Sequence, residues 1–160
     1  MQLEIITTGG TIDKVYFDAK STFQVGEPQI VEVLREANLN IDYRVVPLLR
    51  KDSLELTDAD RQSVRQAVLD SAAAQIVITH GTDTMITTAK ALAGIPGKTI
   101  VLTGAMQPAR FRFTDAVFNI AGAMMAAQIL PAGVYLAMNG RIFDPAKARK
   151  NVEMNRFEDL

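Results

Sequence analysis

The chain has no cysteine, and His80 is its only histidine among 160 residues. Without cysteine it can form neither disulfides nor thiolate metal sites, and it has no thiol nucleophile. A single histidine also excludes a metal site built from several histidines. Any nucleophile in this chain must therefore come from another residue type.

Strong charge of either sign and long hydrophobic runs are also lacking. Seventeen basic and eighteen acidic residues leave a formal charge of -1, which gives no electrostatic reason to expect nucleic acid or an anionic membrane as a partner. No segment approaches the ~20 apolar residues of a membrane helix, and residues 1–4 do not resemble the start of a signal peptide. We therefore expect a cytoplasmic protein, and its length favours one domain.

Strands and helices alternate in the predicted secondary structure. Apolar runs with β-branched residues predict five strands, at 3–8, 41–49, 75–79, 99–103 and 134–138. Helical spacing of apolar residues predicts four helices, at 28–37, 57–74, 83–93 and 114–130. This alternation predicts a single α/β domain of three layers, with a doubly wound, mainly parallel sheet in flavodoxin-like strand order. Residues 140–160 contain no clear strand, and we expect a loop and terminal helix, or an arm that needs a partner.

Three segments rich in glycine and threonine follow predicted strands. They are Thr7–Ile12, Thr79–Met85 and Thr103–Met106. Glycine lets the backbone approach a ligand closely, and threonine offers a nucleophile or a hydrogen-bond donor. Because ligands of open α/β sheets bind beyond the carboxyl ends of the strands, we expect Thr11, Thr82 and Asp83 to face one crevice.

Each of these signals also has a purely structural interpretation. Gly9-Gly10 is compatible with a tight turn, and a threonine before an aspartate is commonly a helix N-cap. His80 is more typical of a buried hydrogen-bonding group than of a catalyst. Lys150 lies in a basic run, 147–150, of the kind that usually forms a solvated surface. The glycine spacing matches neither a phosphate-binding loop nor a dinucleotide fingerprint.

Taken together, four motifs resemble the L-asparaginase family. They read TGGTI at Thr8–Ile12, HGTDTM at His80–Met85, GAMQP at Gly104–Pro108, and MNGRIFD at Met138–Asp144, which leads to Lys150. The resemblance extends to about Asn151. It implies an asparaginase N-terminal-like catalytic domain over 1–150, followed by a C-terminal arm of uncertain role at 151–160.

The resemblance also implies catalytic roles. The family pattern makes Thr11 the nucleophile that attacks the side-chain amide, and it groups Thr82, Asp83 and Lys150 in a Thr-Asp-Lys cluster. The residues themselves leave open whether Thr11 or Thr82 attacks first. A threonine hydroxyl needs a base to take its proton, and a lysine that is not charged can serve as that base. Asp83 would in addition bind the α-ammonium group of the substrate.

Further residues are expected to surround the substrate. The backbone N–H groups of Gly10 and Thr11 are candidates for the oxyanion site, and Gly81 lies in the facing motif. The carbonyl of Ala105 would lie near the reacting amide. Asp52 and Ser53 occupy the segment that corresponds to the family's site for the substrate carboxylate.

One expected lid residue differs from the family. Where the family usually carries a tyrosine in the loop after TGGTI, this chain has Phe23. Tyr16 is the nearest substitute, and it either reaches back over the site or simply packs.

These roles imply an amidohydrolase that converts L-asparagine to L-aspartate and ammonia through a threonyl ester, with no cofactor and no metal. Weak glutaminase activity is expected, since one extra methylene costs only ~1–3 kcal/mol in discrimination. A non-catalytic amino-acid-binding domain, acting as a sensor or as part of a larger assembly, is the alternative. An amidase for a larger amide, such as one attached to tRNA, is a third possibility that the near-neutral charge disfavours.

Family members typically continue into a C-terminal domain, from which a neighbouring protomer supplies an acidic residue. We therefore expect a short-chain form that is a homo-oligomer, either dimer or tetramer. Its site would be completed by its own arm, through Glu153 or Glu158, or by another copy.

Overall fold

A computed structural model describes residues 2–160, where ten strands and four α-helices occur. The strands are β1 Gln2–Gly9, β2 Lys14–Phe17, β3 Thr22–Val25, β4 Asp42–Lys51, β5 Gln75–Thr79, β6 Thr99–Thr103, β7 Gly133–Met138, β8 Arg141–Phe143, β9 Ala148–Asn151 and β10 Arg156–Asp159. The helices are α1 Ile30–Glu36, α2 Asp58–Asp70, α3 Met85–Ala91 and α4 Ala116–Ile129.

The central sheet has six strands in the order β4-β1-β5-β6-β7-β8. The first five of these are parallel, and β8 is antiparallel to β7. The five strands that the sequence predicts thus occur in flavodoxin-like order, which confirms the predicted α/β fold. The first and third predicted strands, β1 and β5, are neighbours, as expected.

Helices cover both faces of the sheet, because its central strands are apolar on both sides. On one face, buried residues of α2 and α3 such as Val64 and Met85 pack against Ile78. On the other face, residues of α1 and α4 such as Ile30 and Ile120 share a core. No helix among residues 2–160 has both the length and the apolar character that crossing a bilayer requires.

The start of α2 follows the N-cap signal in the sequence. The Thr57 hydroxyl accepts a hydrogen bond from the Asp60 N–H, and the Asp60 carboxylate accepts one from the Thr57 N–H at 2.8 Å. This reciprocal capping box satisfies two backbone donors that a helix start leaves unpaired. Asp60 also binds the ammonium group of Lys51, at 2.9 Å.

The segment after residue 140 differs from the prediction, because it contains three strands and no α-helix. β8 extends the sheet, while β9 and β10 form an antiparallel hairpin. These strands are short and mostly charged, so they lack the apolar pattern that identifies a strand in sequence. The hairpin is held by Phe157, which is buried against Phe143 at a ring-centroid distance of 6.4 Å. The boundary expected at residue 150 falls inside this hairpin.

Three neighbouring strands end in register at one edge of the sheet. Thr7 in β1 lies opposite Thr79 in β5, which in turn lies opposite Thr103 in β6. All three threonines are fully buried. The loops that follow them therefore leave the sheet side by side, and this edge is where the candidate site lies.

Candidate active site

Two glycines, Gly10 and Gly81, bring the first loop, which follows β1, into direct contact with the second loop, which follows β5. Gly10 has φ +91° and ψ -175°, a conformation that is essentially restricted to glycine. A Cβ atom at Gly10 would lie only 2.4 Å from the backbone N of Gly81. This close approach places Thr11, which begins a short 3-10 turn, beside the loop that carries Thr82 and Asp83.

The expected oxyanion role of Gly10 needs a correction. The Gly10 N–H donates to the Lys51 carbonyl oxygen at 2.9 Å, so it is not available to a substrate oxygen. Gly10 instead contributes the absence of a side chain, which allows the two loops to touch.

His80 fixes the second loop to its neighbours β6 and α3 through hydrogen bonds. Its backbone N–H donates to the Thr103 carbonyl at 2.9 Å, and its ring nitrogens lie 2.7 Å from the Gly81 carbonyl oxygen and 2.8 Å from the Thr88 hydroxyl. Burial lowers the pKa of His80 to about 4, and the charge of Arg61 adds to this effect. The ring is therefore neutral near pH 7, and a carbonyl partner at Nδ1 fixes the proton on that nitrogen. His80 thus has the structural role that its buried position favours.

Lys150 connects the second loop to the β9–β10 hairpin. Its ammonium group donates to the Thr82 hydroxyl at 2.8 Å and lies 2.6 Å from a carboxylate oxygen of Asp83. The Lys150 side chain is 17% exposed and that of Asp83 is 42% exposed, so the cluster opens towards solvent on the aspartate side. The structure thus brings together three residues that lie up to 68 positions apart.

Ser53 and Asp52 lie close to this cluster. Ser53 is buried, and a Cβ atom at Gly81 would come within 2.5 Å of the Ser53 Cβ atom. Asp52 forms an ion pair with Lys14 at 3.2 Å. Burial opposes ionisation of Asp52, but the Leu54 N–H and the charges of Lys14 and Lys150 outweigh it and lower the pKa. Asp52 is therefore ionised near pH 7, and its charge acts on the same region as Lys150.

Ala105 lies in the third loop and is buried. The Asp115 carboxylate accepts hydrogen bonds from the N–H groups of Met106 and Gln107, at 2.9 and 3.0 Å. The Asn119 side chain donates to the carbonyl of Gly104 at 3.0 Å. The start of α4 therefore holds the backbone on both sides of Ala105.

Tyr16 lies on the β2–β3 hairpin, directly opposite Phe23. Cross-strand partners share one face of a hairpin, and these two rings meet edge to face at a centroid distance of 5.4 Å. Tyr16 is 52% exposed. It thus occupies the same face as the phenylalanine that replaces the family's tyrosine, with its hydroxyl on an exposed surface strand.

Of the two acidic residues expected to complete the site, Glu158 is engaged elsewhere. It pairs with Arg149 at 2.7 Å and accepts a hydrogen bond from Asn151 at 3.0 Å, both within the β9–β10 hairpin. Glu153 lies on the exposed turn of that hairpin. Residues 2–160 contain no group of three or more histidine, aspartate or glutamate side chains placed to hold a metal ion.

Residues 2–158 match the family model described as "Asparaginase, N-terminal". The chain belongs to the asparaginase family. An L-asparaginase of Thermococcus kodakarensis is 30% identical over an alignment of 170 positions, which covers 100% of this chain and 51% of that protein. The solved structure of the thermostable L-asparaginase from Thermococcus kodakarensis matches with a TM-score of 0.85 at 27% identity, again over 100% of this chain and 51% of the other.

A second group of relatives carries a different name. A glutamyl-tRNA(Gln) amidotransferase component from Methanococcus vannielii is 44% identical over 78 residues, which cover 48% of this chain and 18% of that protein. The asparaginase-family chain spans about half the length of the L-asparaginase that it matches.

Two residues in this asparaginase-family site had no role assigned from sequence. Lys14, the first residue of β2, forms an ion pair with Asp52, which directly follows β4, and no pattern in the sequence encodes that contact. Asn119 lies within a family-like segment, and its buried amide in an otherwise apolar helix is a signal that could have identified it.

Replacing Asp13 with asparagine is expected to change how stability depends on pH. Burial raises the pKa of Asp13 from 3.8 to about 7, although the Gln29 N–H and Arg50 oppose this shift. A buried aspartate of this kind makes the native state progressively less stable as pH rises from about 4 to 7. His80 has the opposite effect, because it destabilises the native state as pH falls from 6.5 to about 4.

The two effects oppose each other in the wild type between pH 4 and 6.5. Asp13→Asn removes one of them, so its unfolding free energy should fall by roughly 3 kcal/mol as pH is lowered across that range and should exceed the wild-type value at pH 8. Urea denaturation at several pH values measures this, with the exposed Asp18→Asn as the control. Parallel pH profiles for wild type and Asp13→Asn would contradict the assignment.

Proposed function

We propose that this chain is the catalytic domain of an amidohydrolase that converts L-asparagine to L-aspartate and ammonia. The observation that carries the proposal is the contact of Lys150 with both Thr82 and Asp83, beside the loop of Thr11. A binding site for an amino acid has no need of a lysine on a threonine hydroxyl. Membership of the asparaginase family supports the same reaction class.

In the first step, the Thr11 hydroxyl oxygen attacks the side-chain amide carbon of the substrate. Its proton passes through the Thr82 hydroxyl towards Lys150, which accepts it once its amine is neutral. The tetrahedral intermediate collapses when the proton that Lys150 accepted passes back through Thr82 to the amide nitrogen, the C–N bond breaks, and ammonia leaves. The product is an ester between Thr11 and the aspartyl group.

In the second step, water attacks the ester carbonyl, the Thr11 oxygen regains a proton, and L-aspartate leaves. The Thr11 N–H remains the proposed donor to the oxyanion in both steps. The free side of the Asp83 carboxylate would bind the α-ammonium group. Asp52 would add to the attraction, and Ser53 would contact the α-carboxylate.

Ammonia release tests this proposal directly. We expect release from L-asparagine, slower release from L-glutamine, and little from D-asparagine. Thr82→Val should lower kcat for L-asparagine by about 10²-fold, because it removes one general acid–base group. Thr87→Val, on the exposed side of α3, is the matched control and should match the wild type.

The non-catalytic alternative gives a different outcome in the same assay. If L-asparagine raises the melting temperature but no ammonia appears, the chain is an amino-acid-binding domain. Neither ammonia nor a shift in melting temperature would reject both functions.

A second candidate reaction follows from the relative named as part of an amidotransferase. In this version the same threonine–lysine chemistry would release ammonia for transfer to a glutamyl group on tRNA. The ratio of kcat/KM for free L-asparagine and L-glutamine, with and without glutamyl-tRNA, separates the two. Activity that requires the tRNA substrate would favour the amidotransferase.

The remaining expectations concern the setting of the enzyme. We propose a cytoplasmic homo-oligomer whose small-molecule substrate is L-asparagine, with weak glutaminase activity. Sedimentation velocity of the purified chain measures its oligomeric state. In this proposal Tyr16 acts as a lid residue over the bound substrate.

A further inference from the structure

Three hydrogen bonds link the Ala105 loop to the hairpin that carries Lys150. The Asn119 amide donates to the Gly104 carbonyl at 3.0 Å, and the Asn139 N–H donates to the side-chain oxygen of Asn119 at 3.2 Å. The Phe157 N–H then donates to the side-chain oxygen of Asn139 at 2.8 Å. The hairpin of the reactive amine and the Ala105 loop are thus joined through two asparagines.

The chemistry of the partners fixes the orientation of the Asn119 amide. Its NH₂ group faces the Gly104 carbonyl and a carboxylate oxygen of Asp115, both of which can only accept. Its oxygen faces the Asn139 N–H, which can only donate. Asn119 is 3% exposed. An aspartate at this position would place a carboxylate oxygen against the acceptor oxygens of Gly104 and Asp115, with no donor between them.

Asn139 is suited to its place by its backbone as well as its side chain. It has φ +52°, a left-handed conformation that asparagine, aspartate and glycine tolerate better than other residues. It lies at the surface, so replacing it leaves no buried cavity. Its side chain ends on Phe157, which is the residue directly opposite Lys150 in the β9–β10 hairpin.

Lys150 must keep two short contacts at once, to Thr82 and to Asp83. Its strand belongs to a separate two-stranded sheet, so the ladder of the central sheet does not fix its position. The side chain of Phe157 anchors the hairpin in the core, but an aromatic contact allows sliding, whereas a hydrogen bond to its N–H is directional.

We propose that Asn139, supported by Asn119, is a positioning residue that holds Lys150 against Thr82 and Asp83. The inference rests on the proposed amidohydrolase function and adds a residue that touches neither the substrate nor the reacting atoms. It implies that the hydrogen-bonding side chain of residue 139, rather than its backbone conformation, controls the alignment of the lysine amine.

Two substitutions separate these properties. Asn139→Gly keeps the left-handed backbone accessible but removes the acceptor for the Phe157 N–H, whereas Asn139→Asp keeps both. We expect Asn139→Gly to lower kcat for L-asparagine about tenfold with KM within about twofold of the wild type, because misalignment penalises the chemical step. Asn139→Asp should restore kcat to within about threefold.

A second readout follows the lysine itself without any turnover. In protein labelled with ¹³C at lysine Cε, the Lys150 signal is assigned by its loss in Lys150→Met. We expect this signal to shift in Asn139→Gly and to return to its wild-type position in Asn139→Asp.

The outcomes distinguish this inference from the proposed function. If the wild type releases no ammonia, the amidohydrolase proposal fails, and the lysine signal alone decides whether Asn139 positions Lys150. If Asn139→Gly has the wild-type kcat or the wild-type lysine signal, the inference is overturned. Equal losses in Asn139→Gly and Asn139→Asp would likewise overturn it, because they would show that the acceptor is not the controlling feature.

Discussion

Replacing Lys150 with methionine is expected to reduce ammonia release from L-asparagine by about 10³-fold or more, within the range for loss of a general base. Methionine has a similar length but can neither accept a proton nor contact the Asp83 carboxylate. Because Asp83 is 42% exposed, water can solvate it once its partner is gone. We therefore expect Lys150→Met to fold with a melting temperature close to that of the wild type.

The proposed mechanism adds a test of cooperation between residues. Thr11→Ala should cause a loss at least as large, and the double variant should be no worse than the less active single variant, because residues that act as a unit show strongly non-additive losses. Lys147→Met, in the same basic run but exposed, is the matched control and should keep full activity. Lys150→Met with activity within about threefold of the wild type would exclude Lys150 as the base.

Gly10→Ala should lose both stability and activity. The backbone of Gly10 lies in a region of φ and ψ that costs other residues about 1–3 kcal/mol. In addition, the new Cβ atom would lie 2.4 Å from the Gly81 N and 2.5 Å from the Gly81 Cα, where only backbone can move. We expect destabilisation of about 3 kcal/mol or more, which corresponds to a fall in melting temperature of roughly 6–12 °C.

Gly94→Ala separates the cost of the backbone conformation from the cost of the steric contact with Gly81. Gly94 has φ +78°, but a Cβ atom there would have no neighbour within 4 Å, so only the conformational cost of about 1 kcal/mol applies. Activity decides the functional part: the folded fraction of Gly10→Ala should be inactive, since Thr11 and Thr82 move apart. Equal stability losses in the two variants would show that the contact between Gly10 and Gly81 contributes nothing.

The architecture could be predicted because its signals are local. The inner strands β1, β5 and β6 are largely apolar and buried on both faces, and the partly exposed edge strand β4 has an apolar centre at Val45 and Val46. Apolar residues recur at helical spacing in α1 and α2. The β9–β10 hairpin could not be predicted in this way. Its inward-facing residues include Phe157 and the charged Lys150. A lysine in a basic run indicates a surface position, and only the structure shows its contacts with Thr82 and Asp83.

In the candidate site, too, features encoded by one segment could be predicted, whereas contacts between distant segments could not. Glycines and threonines at strand ends indicate a site from sequence, because the topology of a parallel sheet brings those ends together. That the Gly10 N–H is already bonded to Lys51 depends on the bulge where β1 passes β4. The contact between Lys14 and Asp52 likewise joins two segments that are distant in the chain. Neither property is encoded by any single segment.

The position of Lys150 in the β9–β10 hairpin has a consequence for synthesis. All strands of the central sheet are translated before this lysine, and its strand β9 pairs with β10, which ends at Asp159. A nascent chain can therefore form most of its core and bring the loops of Gly10 and Gly81 together while still lacking the amine. If the proposed mechanism holds, hydrolysis would begin only after the ribosome has added this hairpin, and the order of synthesis would keep the unfinished protein inert.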